Sequence, residues 1–99
     1  MESKLVYSIE QNVYTMGAVV NSDDFKDIFV DKLLEVRDAV FDKYGEYPSI
    51  GVSNNTFSWF KRLFSKDPSY VDGWTPKFWL MPICVMDMKD GLFDFYVEG

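Results

Sequence analysis

Between Asn21 and Gly45 the chain carries one uninterrupted helical pattern, and no other feature restricts the accessible folds as tightly. "NSDD" supplies the start: Asn21 or Ser22 can cap the first turn, and Asp23, Asp24 and Asp27 suit the positive end of the helix dipole. Tyr44 is the last residue of the pattern, Gly45 offers a left-handed stop, and Pro48 bars continuation. From Asp24 to Asp42 such a helix rises roughly 27 Å. In a chain of 99 residues, long enough for one modest core and one domain, the other elements must pack against that rod.

The pattern is segregated around the helix axis. At about 100° per residue from Phe25, the acids Asp24, Asp27, Asp31, Glu35, Asp38 and Asp42 fall within an arc of about 80°, with no base among them. Lys26, Lys32, Arg37 and Lys43 all lie elsewhere. Phe25, Ile28, Phe29, Leu33, Val36, Ala39 and Val40 form a broad apolar face, and Val30, Leu34 and Phe41 form a second one beside the acids. Two apolar faces imply two packing partners, and the second is expected to be the short helix described next or another chain.

Around this helix the chain alternates strand and turn signals. Leu5, Tyr7 and Ile9 alternate with mostly polar neighbours, and Val13–Val20 is rich in β-branched and aromatic residues, so both segments read as strands. "SIGVS" is a short apolar strand, and "NNT" caps a second helix over about Phe57 to Ser65, ended by Pro68. "PSYVDGWTPK" reads as an aromatic-bearing loop. "FWLMPICVM" and "LFDFYVE" read as a final hairpin across Asp90-Gly91, with Pro82 placing its strand at an edge or a bulge. The expected fold is α+β: a largely antiparallel sheet in ββαβαββ order, with one long and one short helix packed on one face.

Sixteen acids against ten bases give a net charge of −6, which opposes sequence-independent binding to phosphate backbones and to anionic membranes. The N-terminus lacks the basic and apolar regions of a signal peptide, and no apolar run reaches the roughly 20 residues of a membrane span. A soluble, cytoplasmic protein is expected. Histidine is absent, which removes the usual proton shuttle and the commonest metal ligand. The single Cys84 lies in an apolar run and reads as a buried structural thiol. Neither a catalytic residue, a cofactor site nor a metal site is expected.

Weaker motifs have bland readings. "FSWFKRLFSK" interleaves aromatics with Lys61, Arg62 and Lys66, as single-strand nucleic-acid grips do, yet Phe57, Phe60, Leu63 and Phe64 share a helical face and read as core. Asp87 and Lys89, with Asp72 upstream, resemble a metal-nuclease triplet, but the same spacing occurs at Asp24 and Lys26. Tyr70, Trp74, Phe78 and Trp79 could form an exposed aromatic cluster or fold back over the core.

The acid row therefore stands as the leading functional feature, with two readings open. It is a solvated outer face, or it is an electrostatic strip for a basic partner, with Val30, Leu34 and Phe41 adding apolar contact. The candidate partner-binding set is Asp24, Asp27, Val30, Asp31, Leu34, Glu35, Asp38, Phe41 and Asp42. One charge per about 4.5 Å is too sparse to imitate duplex DNA, at about 1.7 Å per charge, unless Asp87, Asp90, Asp94 and Glu98 extend the row. In being short, acidic, aromatic-rich and α+β without catalytic residues, the chain resembles accessory proteins of phages and mobile elements. That resemblance implies an inhibitor of a bacterial defence system acting in the host cytoplasm, and the acid row points to a basic protein as its target, one that binds nucleic acid. The alternative is a structural subunit that forms homodimers or larger assemblies through its second apolar face or the Pro82 edge.

Overall fold

The structure, a computed structural model, describes residues 3–10 and 23–98. The strand expected over Val13–Val20 and the cap expected at Asn21 or Ser22 lie outside the described residues. Six strands and two helices follow in the order β1 (Ser3–Glu10), α1 (Asp23–Tyr44), β2 (Ser49–Val52), α2 (Asn54–Phe64), β3 (Tyr70–Val71), β4 (Lys77–Phe78), β5 (Met81–Val85) and β6 (Leu92–Glu98). The strands form one sheet in the order β1-β6-β2-β5-β4-β3. The class is α+β, but the sheet is mixed, because β2 and β5 run parallel at its centre while the other pairs are antiparallel.

The centre of the sheet departs from the expected final hairpin. β6 lies between β1 and β2, and β5 pairs with β2 and β4, so the segment through Asp90-Gly91 crosses from one strand to a non-neighbour. Pro82 consequently sits in an interior strand. It is tolerated there because β2 pairing begins one residue later, at Ile83, whose amide donates to Pro76 O at 2.8 Å. Gly51 in β2 is fixed by close packing: a Cβ there would stand 2.6 Å from Met86 Sδ and 2.9 Å from Tyr96 Cε2.

Aromatic side chains join the layers. Phe29 of α1 meets Phe93 of β6 edge-on at 5.2 Å, and Phe60 of α2 meets Phe78 of β4 at 5.1 Å and Phe93 at 6.2 Å. Phe64 packs on Phe60 at 4.6 Å and on Phe78 at 4.7 Å, so both helices lie on the sheet face that carries Phe93. Phe60, Phe64, Phe78, Phe93 and Phe95 are fully buried, and each such ring pair adds about 0.5–1.5 kcal/mol beyond its area. The expected α2 face is present in Phe60 and Phe64, with Phe57 and Leu63 packed at its margin.

The helix ends follow local chemistry. Gly45 has φ 76° and its amide donates to Phe41 O at 2.8 Å, closing α1 as Gly45 and Pro48 suggest. α2 starts earlier than expected, and its cap is Ser53 rather than the "NNT" segment: Ser53 Oγ accepts from Thr56 N at 3.1 Å. Ser53 Oγ in turn donates to Asp90 Oδ1 at 2.6 Å, while Asn55 Nδ2 donates to Asp90 Oδ2 at 3.1 Å. These two donors, Ser53 foremost, hold the Asp90 carboxyl below its ordinary range.

"FWLMPICVM" is broken by a turn that its composition does not announce. Phe78 pairs with Met81, and the two residues between them, Trp79 and Leu80, have φ 50° and 70°. Positive φ at both positions is the demand of a type I′ hairpin, which Asn-Gly normally meets. A side chain in that region costs roughly 1–2 kcal/mol per residue. The turn is held by Trp79 N donating to Ser69 O at 3.0 Å and by Arg37 Nη1 donating to Trp79 O at 3.2 Å.

Two outcomes check these assignments. Leu80→Gly removes a mostly exposed side chain from a left-handed position, so urea unfolding should show a gain of about 1 kcal/mol; a loss would contradict the turn geometry. A depressed carboxyl pKa stabilises the fold above the ordinary carboxyl value and loses that contribution as pH falls through the folded-state value. Asp90→Asn should therefore lower stability at pH 7 and flatten its decline below about pH 4; parallel acid limbs in the two proteins would contradict the cap.

Candidate functional site

The rotation of α1 is set by its buried stripe. Phe29, Leu33, Val36 and Val40 are at most 5% exposed and follow helical spacing, so the arc of acids points away from the sheet. Asp27, Asp31, Glu35, Asp38 and Asp42 are all exposed. Asp24 lies on the same helix, and its side chain is outside the described residues. Asp38 is paired within the chain, with its Oδ1 2.9 Å from Arg37 Nη2 and 3.0 Å from Arg37 Nε. Among the described residues, no ion pair or hydrogen bond engages the side chains of Asp27, Asp31, Glu35 or Asp42.

The second apolar face has partners inside this chain. Val30 is half-buried against the core and Leu34 is half-buried beside it. Phe41 is 46% exposed and its ring lies 4.7 Å from that of Tyr47, which also receives the Arg37 guanidinium at 5.1 Å. Val30, Asp27 and Asp31 border one recess together with Trp79, Asp67 and Ser69. The expected partner, α2 or another chain, is thus replaced in part by Tyr47 and the Trp79 turn. On the opposite flank of the acids, Ile28 is 69% exposed, although the helical pattern placed it with the core residues.

Asp90 and Asp94 do not lengthen the strip. Asp94 lies in β6 between Phe93 and Phe95, which face the helices, so it points to the other side of the sheet. There its carboxylate accepts from Ser8 Oγ at 2.6 Å and Tyr96 Oη at 3.3 Å. Burial, and then the neighbouring Asp94 charge, push the Tyr96 hydroxyl above its ordinary pKa. Asp90 is engaged by the α2 cap, so neither residue supplies the extra charges that duplex mimicry would need.

The remaining motifs separate in space. Lys89 donates to Glu10 Oε1 at 2.6 Å, and Lys61 Nζ stands 3.5 Å from Asp72 Oδ2. Tyr70 and Phe78 belong to the core, whereas Trp74 is fully exposed and Trp79 partly so, which divides the aromatic loop cluster. Cys84 is exposed, against the expected buried thiol, because it alternates with Ile83 and points to the face away from α1 and α2. Among the described residues, no three His, Cys, Asp or Glu side chains gather as a metal-ligand set, and no helix is long and apolar enough to cross a membrane.

Sequence reasoning missed Arg37, Tyr47 and the Trp79-Leu80 turn as shapers of this surface. "WL" carries no turn signature, and Tyr47 reaches Phe41 only because Gly45 reverses the chain. Compared with known proteins, the chain matches no family model, no curated protein and no solved structure.

Proposed function

We propose that this chain is a non-catalytic binding protein that docks a basic protein partner on the outer face of α1. One observation carries the reading: Asp27, Asp31, Glu35 and Asp42 form an exposed strip with no ion pair to any described residue. Like charges at helical spacing cost about 0.2–0.5 kcal/mol per pair, so an arrangement with four of them is a liability that a basic partner would offset. Phe41 and Ile28, exposed on the two flanks, supply apolar contact beside the charges. Long-range attraction from the strip would speed encounter, and contact would fix register.

A protein that grips nucleic acid presents the basic surface this strip suits, and occupying that surface would inhibit it. Such an inhibitor agrees with the resemblance to phage and mobile-element accessory proteins. The action needs no chemistry from this chain, only competition for a charged site.

The test separates the strip from bulk charge. Asp31→Lys, Glu35→Lys and Asp42→Lys together should weaken binding of a lysine- and arginine-rich helical probe peptide at least tenfold and flatten its salt dependence. A second triple reversal at Asp87, Asp72 and Glu98 makes the same change in net charge at positions off the strip, and should leave most of the affinity in place. Equal losses in the two variants, read by fluorescence anisotropy, would contradict the proposal.

A further inference from the structure

α1 borders a second recess, on its other flank, whose chemistry is opposite to that of the acid strip. The β1–β6 register shifts between Leu5 and Tyr7, and the extra residue, Val6, packs against the core beneath α1. Val6 and Tyr7 from β1, with Val36, Ala39, Val40 and Tyr44 from α1, line a recess of about 260 Å³. The walls are mainly aliphatic and aromatic. Lys32 and Lys43 also line it, as does Glu35 on the side toward the acid strip.

Two lysines, Lys32 and Lys43, line this recess, and a third, Lys4, stands beside it over Tyr44. Lys4 Nζ and Lys43 Nζ lie 5.6 and 5.3 Å from the centre of the Tyr44 ring, and Lys32 Nζ lies 5.8 Å from that of Tyr7. Ring faces attract cations at that range. Among the described residues, none of the three makes an ion pair, in a chain with sixteen acids and ten bases. Aromatic rings rather than carboxylates hold these lysines, which leaves their charge available at the mouth of an apolar recess.

The geometry points to a binding site for a small anionic amphiphile, a single alkyl chain ending in a carboxylate. The tail occupies the space over Val6, Val36, Ala39 and Val40, and the carboxylate lies among the lysines. Charge complementarity selects the anionic head, and the limited volume, just below the roughly 300 Å³ at which ligand pockets usually begin, selects one chain over a folded peptide. This site shares only Glu35 with the acid strip and takes a ligand of opposite charge, so either proposal can fail without the other.

Decanoate below its micellar concentration is the direct probe, followed by calorimetry and by amide chemical shifts. Saturable one-to-one binding is expected, with shifts centred on Val6, Tyr7, Val36 and Val40. Affinity should rise up to about fourfold per methylene from hexanoate to decanoate, as each group leaves water. Lys32→Glu with Lys43→Glu should weaken binding at least tenfold, and Ala39→Trp, at an exposed helix position, should block it. The double lysine variant keeps the test decisive if Ala39→Trp fails to fold. Absence of saturable binding, shifts located elsewhere, or equal affinity for decyltrimethylammonium would each overturn the proposal.

Discussion

The contact on which the rest depends is the phenylalanine cluster that locks both helices to one sheet face. Phe93 receives Phe29 from α1 and Phe60 from α2, while Phe78 receives Phe60 and Phe64. Ring packing of this kind is directional as well as apolar. It fixes the rotation of α1 about its own axis, and that rotation decides which residues meet solvent. With Phe29, Leu33, Val36 and Val40 turned inward, the acids have no route to the core and no base of their own arc to meet. The charged face is therefore a consequence of how the aromatic core is keyed.

The same helix carries two unlike surfaces. Its outward face is a line of carboxylates, and one flank, beside the β1 bulge, is an apolar recess rimmed by lysines that rest on tyrosine rings. Its other flank is partly closed by Tyr47 and by a strained turn. That turn places Trp79 and Leu80 in a left-handed conformation and is tied back to the helix through Arg37. Strain of this type persists only where the surrounding contacts enforce it. Here Trp79 also meets Phe78 edge-on, so the strained turn is anchored to the aromatic core.

What could be read from the chain alone follows the range of the interactions. α1, with its stop at Gly45, and the core face of α2 depend on neighbours three or four residues away, and these were legible. The parallel pairing of β2 with β5 joins Ile50 to Ile83, a contact that no local pattern encodes. The apolar run "FWLMPICVM" suggested one buried strand because apolar composition hides both a break and an exposed face. Trp79-Leu80 reverses the chain without a glycine or asparagine, and Cys84 alternates outward. For the candidate site, the acid arc was visible as spacing, whereas the Arg37–Asp38 pair, the Tyr47 stack and the lysine-rimmed recess required the folded geometry.

The central claim is that Asp27, Asp31, Glu35 and Asp42 have no ion pair among the described residues and are retained at some expense to stability. Urea unfolding of the free protein with Asp31→Asn and Glu35→Gln, at low and at high salt, tests it without any partner. A higher midpoint is expected for the neutralised variant at low salt, by the few tenths of a kcal/mol per pair typical of like charges on a helix, with a difference that fades as salt screens them. A lower midpoint for the variant at low salt would show that the strip is internally stabilised, and would contradict the account.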